Sequence, residues 1–427
     1  MTAISTPLAA RRPAVDLDRW PALASCPRGP KARVAATVAR QLFVHATHRL
    51  GLSVSYDGRP ADLVVHRPEE LFARVGNHGL IGFGESYMSG AWDAADLAGS
   101  LTVLCSQITD LLPLWMQRVR SAYVARPPRS QRNTRHNSRA NIAHHYDLSN
   151  DVFATFLDPT LSYSAAVFDT GAVLGPDHVR LLAPVPGADL AEAQARKIER
   201  ILDAADVRAG TRLLEIGTGW GELAIRAARR GATVRSVTLS REQRALALER
   251  IAAAGLSDSV VVELLDYREV TGRYDAVVSV EMIEAVGHEY WATYFQALDR
   301  LLAPGGTVAL QAITMPHAQM LATRNTWTWI NKYIFPGGFL PSVTAIEEVA
   351  DAHTTLRLTG RTAFGSHYAE TLRQWESEFL SARERVLDLG FDETFVRLWH
   401  FYLAYSRAGF ASGYLDVQQL TFTREGV

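Results

Sequence analysis

The sequence predicts an α/β protein: a doubly wound sheet, mostly parallel with an antiparallel last strand, joined to a smaller N-terminal α+β domain. Three observations predict it. From about Asn141 onward, short apolar and β-branched runs alternate with helical stretches, as in a parallel sheet covered on both faces. A glycine-rich turn, in LLEIGTGWGELA over 213–224, joins the first of those runs to a helix. The chain has 427 residues and a 48% hydrophobic share, enough for a sizeable core and a second domain.

The first region, 1–125, mixes strand-like pieces (LSVSYDG, DLVVHR) with helical ones (PEELFARVG, DLAGSLTVLCSQITDLLPLWMQRV). A linker follows over 126–140. It carries Pro127, Pro128 and the arginines Arg126, Arg129, Arg132, Arg135 and Arg139, with no acidic residue until Asp147. Such a segment cannot bury apolar surface and belongs at the molecular surface. The third region, 141–427, supplies the strands TRLLEIG, TVRSVTL, VVVELLD, YDAVVSV and, after the Gly305–Gly306 turn, TVALQAI. Between them run helices such as SREQRALALERIAAAG, with Ser240 as its cap. Two helices, HYAETLRQWESEFLSARERVLDLG and ETFVRLWHFYLAYSRAGF, precede a closing strand, VQQLTFTRE, expected antiparallel at the sheet edge.

Charge and cysteine content narrow the classes. The formal net charge is −1, so attraction to a membrane or to nucleic acid would need a local patch. The two cysteines, Cys26 and Cys105, lie far apart and outside every motif, which excludes a disulfide framework and a Cys-based zinc site. No signal-peptide core opens the chain and no apolar run approaches ~20 residues. A soluble cytoplasmic protein is expected. His144 and His145 are adjacent and diverge on a helix, so no metal is expected.

Ligands of a parallel α/β sheet sit beyond the carboxyl ends of its strands, where strand order reverses. Gly217, Gly219 and Gly221 fall at the end of the first strand, with Thr218 between them. Their spacing is G-x-G-x-G, with Trp220 inside, rather than the dinucleotide G-x-G-x-x-G. Glu215 puts a carboxylate where an ammonium could be held and a pyrophosphate would be repelled. Asp266 could accept from an adenine amino group, with Tyr267 covering the ring. A ligand with an ammonium, an adenosine and no phosphate is S-adenosylmethionine. The sheet is then that of an S-adenosylmethionine-dependent methyltransferase.

These residues, with several longer strings, resemble the cyclopropane-fatty-acid synthases and their mycolic-acid-modifying relatives. The strings are LIGFGESYMSGAWD, HHYDLSNDVFATFLDPTLSYSAAVF, LLEIGTGWGELA, VTLSREQ, YDAVVSVEMIEAVG and WINKYIFPGGFLPS, spread from about His66 to the C-terminus. The resemblance is greatest to the actinobacterial branch that methylates oleoyl chains on the way to tuberculostearic acid. It implies transfer of a methyl group from S-adenosylmethionine to the cis double bond of an acyl chain in membrane phospholipid. The expected product is a methylene-branched stearoyl chain, for a separate reductase to reduce. A cyclopropane ring on the same chain is the alternative. A nicotinamide-dependent oxidoreductase and a non-catalytic lipid-binding protein are the remaining readings.

The resemblance also implies roles. Cofactor contacts fall on Tyr163 and Ser164, on the loop from Glu215 to Gly221, on Thr238, Leu239 and Gln243, and on Tyr267 and Arg268. Relatives hold a bicarbonate ion as base with a Glu, a His, a Tyr and the backbone beside a Cys. Glu284 matches the Glu and Tyr368 the Tyr, whereas Gln311 stands for the His and Ala165 for the Cys. Relatives carry a His where Ala285 stands, and another Cys of the family corresponds to Ser406. Gln311 cannot gain a proton at neutral pH, which leaves bicarbonate dependence open. His145 or Tyr146 would line the acyl pocket, with a structural role the equal alternative. The aromatics Trp327, Trp329, Tyr333 and Phe335, with Ile334, divide evenly between an acyl channel and core packing. With lipid as substrate, region 1–125 is expected to associate with membrane. The arginine-rich linker would then meet phospholipid headgroups rather than nucleic acid, placing the protein peripherally at the inner membrane face. A homo-oligomer is compatible with the chain.

Overall fold

The computed structural model describes residues 15–107, 149–175 and 178–424, with residues 128, 131, 133 and 137 between them. The linker arginines and the string from His144 to Asp147, His145 and Tyr146 included, lie outside the described residues. The chain forms two compact units.

The larger unit takes 127–325, 331–378 and 413–427. It is built on nine strands: β4 (Ala172–Leu174), β5 (Val179–Leu181), β6 (Arg212–Ile216), β7 (Thr233–Thr238), β8 (Val260–Leu264), β9 (Tyr274–Val280), β10 (Leu302–Thr314), β11 (Leu356–Ala363) and β12 (Asp416–Arg424). Their order is β4-β5-β11-β12-β10-β9-β6-β7-β8. β8, β7, β6, β9 and β10 run parallel, so the strand order reverses around β6.

Alternation along the central strands explains why apolar residues follow one another along them. Leu213, Ala276, Val278 and Ala309 face one core, with Ile198, Leu223 and Ile251. Their neighbours Leu214, Val277, Val308 and Leu310 face the other, with Phe295, Leu298 and Ile346. Successive strand side chains point to opposite faces, so two buried faces need an unbroken apolar run. The helices α4 (Leu190–Ala204), α5 (Glu222–Arg229) and α6 (Arg241–Ala253) supply the first layer. The helices α7 (Trp291–Leu301) and α8 (Val343–His353) supply the second. Ser240 caps α6, accepting from the Gln243 amide at 3.1 Å.

The last strand is antiparallel, as expected, but it is not an edge. β12 is inserted between β10 and β11 and pairs antiparallel with both. The edge is instead the β4–β5 hairpin, joined through β5 to β11. Leu420 and Phe422 are fully buried there, a position an edge strand would not give them. The first of the two late helices begins at Gly365 and ends at Ser381, with a separate turn of helix over Arg383–Asp388.

The smaller unit combines Met1–Arg126 with Thr326–Ile330 and Phe379–Ser412. Its sheet pairs β1 (Val54–Ser55) parallel with β2 (Leu63–Val65), and β2 antiparallel with β3 (Trp92–Ala94). The helices Pro30–Arg49, Pro68–Met88 and Leu97–Ser106 accompany it. The helix Glu393–Ala411, far along the sequence, clusters here for an evident reason. Its Arg397 is buried, donating to the Tyr87 and Trp92 carbonyls and to Asp93, while Tyr87 and His400 share a hydrogen bond of 2.8 Å. Trp329 belongs to this core, 2% exposed and edge-on to Phe401 at 4.8 Å. A β-carbon on Gly84 would come within 2.6 Å of its indole. In the larger unit Ile334 is buried as well, so both residues are packing core.

Candidate functional site

β6 ends at Ile216, and the chain then turns through Gly217, Gly219 and Gly221 at φ of 98°, 52° and 90°. Side chains other than glycine resist this region, so the glycines are what permit the turn. The Gly217 amide donates to the Val237 carbonyl at 2.9 Å, which pins the loop to β7. Beside Gly219, the direction a β-carbon would take is open space.

A cavity of about 200 Å³ opens here, at the carboxyl ends of β6 to β9. Of the residues expected to touch a cofactor, Tyr163, Ser164, Glu215, Gly217, Thr218, Gly219, Thr238, Leu239, Gln243, Asp266, Tyr267 and Arg268 line it. Gly221 does not; it starts α5 and faces Ala247. Tyr163 stacks on Trp375, ring centroids 5.2 Å apart, and Trp220 is held by its indole N–H on Asn150 at 2.9 Å. Asp266 is bound by Arg268 through both carboxylate oxygens. Burial pushes the Tyr267 hydroxyl up to about 12, so it stays protonated.

The cavity is rich in carboxylates. Glu215 accepts from Ser236 Oγ at 2.5 Å, and burial pushes its carboxyl up to about 8. Glu284, expected as a catalytic residue, is not among the residues that line the cavity, and neither are Gln311 and Tyr368. It accepts from the Ile313 amide at 2.5 Å, and burial, then the neighbouring Glu281 charge, also raises it to about 8. Its Oε2 is buried with no hydrogen-bond partner among the described residues. Lys197 answers these charges from within: burial lowers it to about 8, against the pull of Glu281, Asp158 and Glu215, and its Nζ donates to Ser164 Oγ at 2.7 Å. Buried carboxylates with raised pKa values become favourable when a cation enters.

Sequence reasoning missed Glu281 and Lys197, both of which line the cavity. Glu281 follows β9 directly and has φ of 48°, rare for a residue with a side chain. Its Oε1 accepts from the Ala165 amide and from Gln311 Nε2, both at 2.8 Å, and its Oε2 from the Tyr368 hydroxyl at 3.0 Å. Thus Ala165, Gln311 and Tyr368 do come together, but on Glu281 and not on Glu284. The available signal was the spacing in SVEMIEAVG, which holds two carboxylates three residues apart at a strand end.

The donor set suits S-adenosylmethionine. A buried carboxylate stands at the strand end where it can take an ammonium, open space lies beside Gly219, and Asp266 with Tyr267 stands at the end of β8. The mycolic acid cyclopropane synthetase family model matches residues 133–420.

The chain belongs to that family.

It is 52% identical, over 97% of both chains, to a tuberculostearic acid methyltransferase of Mycobacterium tuberculosis (strain ATCC 25618 / H37Rv). A cyclopropane-fatty-acyl-phospholipid synthase of Escherichia coli (strain K12) is 34% identical, over 88% of this chain and 91% of its own. Among solved structures, a mycolic acid cyclopropane synthase complexed with SAH and CTAB matches with a TM-score of 0.59 and 31% identity. It covers 66% of this chain and 97% of its own. The protein is an S-adenosylmethionine-dependent methyltransferase. No helix among the described residues is long and apolar enough to cross a membrane.

Proposed function

We propose that the protein methylates the cis double bond of an oleoyl chain in membrane phospholipid and releases a methylene-branched stearoyl chain, the precursor of tuberculostearic acid. The observation that carries this reading is Glu281, which lines the cavity with the glycine loop and is held by Gln311 and Tyr368, with the buried Glu284 carboxylate three residues further on. It gathers negative charge in a buried site, as a carbocation requires. Bound in the cavity, S-adenosylmethionine supplies an electrophilic methyl group carried on a sulfonium.

The residues have these roles in the proposal. Glu215 holds the ammonium of the methyl donor, and the backbone of Gly217 to Gly219 lies against it. Thr238, Leu239 and Gln243 serve the ribose side, and Asp266, Tyr267 and Arg268 the adenine side. Tyr163, held on Trp375, closes the cavity against water, which would otherwise capture the cation as an alcohol. Glu284 and Glu281 stabilise the positive charge left on the acyl chain by their fixed position. The linker arginines and the N-terminal region, 1–125, rest on the inner membrane face and bring the site to its substrate. The methylene product passes to a separate reductase.

A cyclopropane ring is the second reading, favoured by the 34% identity to the cyclopropane-fatty-acyl-phospholipid synthase. The two products differ in which bond the departing proton leaves behind. Incubation with oleoyl phospholipid and methyl-labelled cofactor, followed by gas chromatography and NMR, distinguishes them. Olefinic methylene protons are expected. Cyclopropane protons as the dominant signal would establish the second reading instead.

A further inference from the structure

We propose that Glu281 is the catalytic base of this enzyme, carried in the chain where the family resemblance implies a bound bicarbonate, and that turnover needs no bicarbonate. The inference rests on the methyl-transfer reading above.

The resemblance assigns the anion to Glu284 and, as donors, to the backbone at Ala165, the position of Gln311 and Tyr368. In this structure all of those donors are turned onto one carboxylate. The Ala165 amide and Gln311 Nε2 reach Glu281 Oε1 at 2.8 Å each, and the Tyr368 hydroxyl reaches Oε2 at 3.0 Å. A bicarbonate held by the same groups would have to displace the side chain. Bicarbonate therefore does not fit the site as it stands.

Three further features bear on the assignment. Gln311 is fixed as a donor to Glu281, because its own carbonyl oxygen accepts from Gln419 Nε2 at 3.2 Å. A glutamine there can orient the carboxylate but cannot take its proton, which fits an acceptor that must stay basic. The backbone of Glu281 is held at φ of 48°, where a side chain is disfavoured, and such outliers collect at functional sites. Finally, Glu281 lines the same cavity as Glu215 and the glycine loop. Burial raises its carboxyl above the ordinary range, toward the pKa of an effective base near neutrality.

The step balances as follows. Methyl transfer leaves one positive charge on the alkene carbon next to the methylated one; on the methylene route a hydride then shifts to it from the methylated carbon, which takes over the charge. A carboxylate oxygen of Glu281 removes one proton from the transferred methyl, and the pair of the broken C–H bond becomes the π bond of the methylene group or, without the shift, the ring bond of a cyclopropane. The chain is then neutral, the carboxylate has become a carboxyl, and the proton is returned to water before the next turnover. Gln311, and Gln419 behind it, are positioning residues.

The test uses the full chain, oleoyl phospholipid vesicles and methyl-labelled S-adenosylmethionine, in degassed buffer with and without added bicarbonate. Affinity for S-adenosylhomocysteine is measured in parallel by calorimetry. Wild-type turnover is expected to change less than twofold between the buffers. Glu281→Gln is expected to lose about a hundredfold or more in kcat, the size of a general-base contribution, while binding S-adenosylhomocysteine within about threefold of wild type. Glu281→Gly, which clears the donors, is expected to regain turnover when bicarbonate is added. Wild-type turnover that collapses without bicarbonate overturns the proposal. So does a Glu281→Gln variant within tenfold of wild type, or one whose affinity falls in step with its turnover. A Glu281→Gly variant that binds S-adenosylhomocysteine yet gains nothing from bicarbonate overturns it too. A wild-type protein that methylates no oleoyl phospholipid in either buffer overturns the methyl-transfer reading itself, a result distinct from all of these.

Discussion

At the scale of single residues, the cavity is organised by where backbone angles exclude a side chain and where carboxylates are buried. Gly219 sits at φ of 52° with open space before it, and Glu215 is 3% exposed at the end of a core strand. Removing that carboxylate leaves the ligand ammonium without a charged partner, a loss of about 1.5–3 kcal/mol. Glu215→Ala is therefore expected to weaken S-adenosylhomocysteine binding tenfold to a hundredfold, measured by calorimetry, with the circular dichroism spectrum unchanged. Gly219→Val adds backbone strain and a branched side chain in the space before the loop, and should bind at least as poorly. Undiminished affinity in both variants would remove the glycine loop from the site. The glycines and Glu215 were legible in the sequence because their spacing at a strand end is local. Glu281 was not, because a backbone angle decides which of two nearby glutamates meets Ala165, Gln311 and Tyr368.

At the scale of elements, α9 (Gly365–Ser381) brings Tyr368 to Glu281, and its first turn is anchored by His367. That side chain is fully buried; its Nδ1 accepts from the Phe168 amide at 3.0 Å and its Nε2 donates to the Leu182 carbonyl at 2.8 Å. Both contacts need the neutral ring, and burial lowers its pKa to about 4. The unfolded imidazole, near 6.5, holds its proton more tightly than the folded one. The resulting stabilisation is thus complete above about pH 6.5 and is lost as pH falls toward about 4, up to about 3 kcal/mol over the interval. Urea unfolding at a series of pH values should show this loss in wild type and a flatter profile in His367→Gln, itself less stable at pH 7. Parallel profiles for the two proteins would free His367 of this role. The anchor is invisible in GSHYAET, since its partners lie about 185 and 199 residues away in sequence.

At the scale of the whole molecule, a net charge of −1 coexists with a linker whose charged residues are all arginine up to Asp147. An acyl chain inside a phospholipid must be reached at a membrane surface, and no described helix is long and apolar enough to span one. On the proposed reading the linker arginines supply the attachment, at about 1 kcal/mol per basic residue near an anionic surface. Replacing Arg126, Arg129, Arg132 and Arg135 with Ser should reduce sedimentation with anionic vesicles at least tenfold. Wild-type binding should weaken as salt shortens the Debye length. Binding that is insensitive both to the substitutions and to salt would assign attachment to another surface.

What the sequence determined by itself is what neighbouring residues enforce on one another. Predominantly apolar runs such as LLEI and AVVSV have nowhere to go but a sheet buried on both faces, and G-x-G-x-G at the end of the first of them must turn backward. Ser240 caps its helix through the third residue after it, again a local matter. Tertiary structure alone decided the rest. VQQLTFTR reads the same as an edge strand or an inner one; only the side-by-side packing of β10 and β11 against it makes it inner. The helix Glu393–Ala411 looks like a continuation of the methyltransferase region, yet Arg397 finds its partners at Tyr87, Trp92 and Asp93, about 300 residues earlier. Glu281 meets a backbone amide 116 residues away, a glutamine 30 away and a tyrosine 87 away. Such convergence is paid for by burial of the whole core, and no local pattern encodes it.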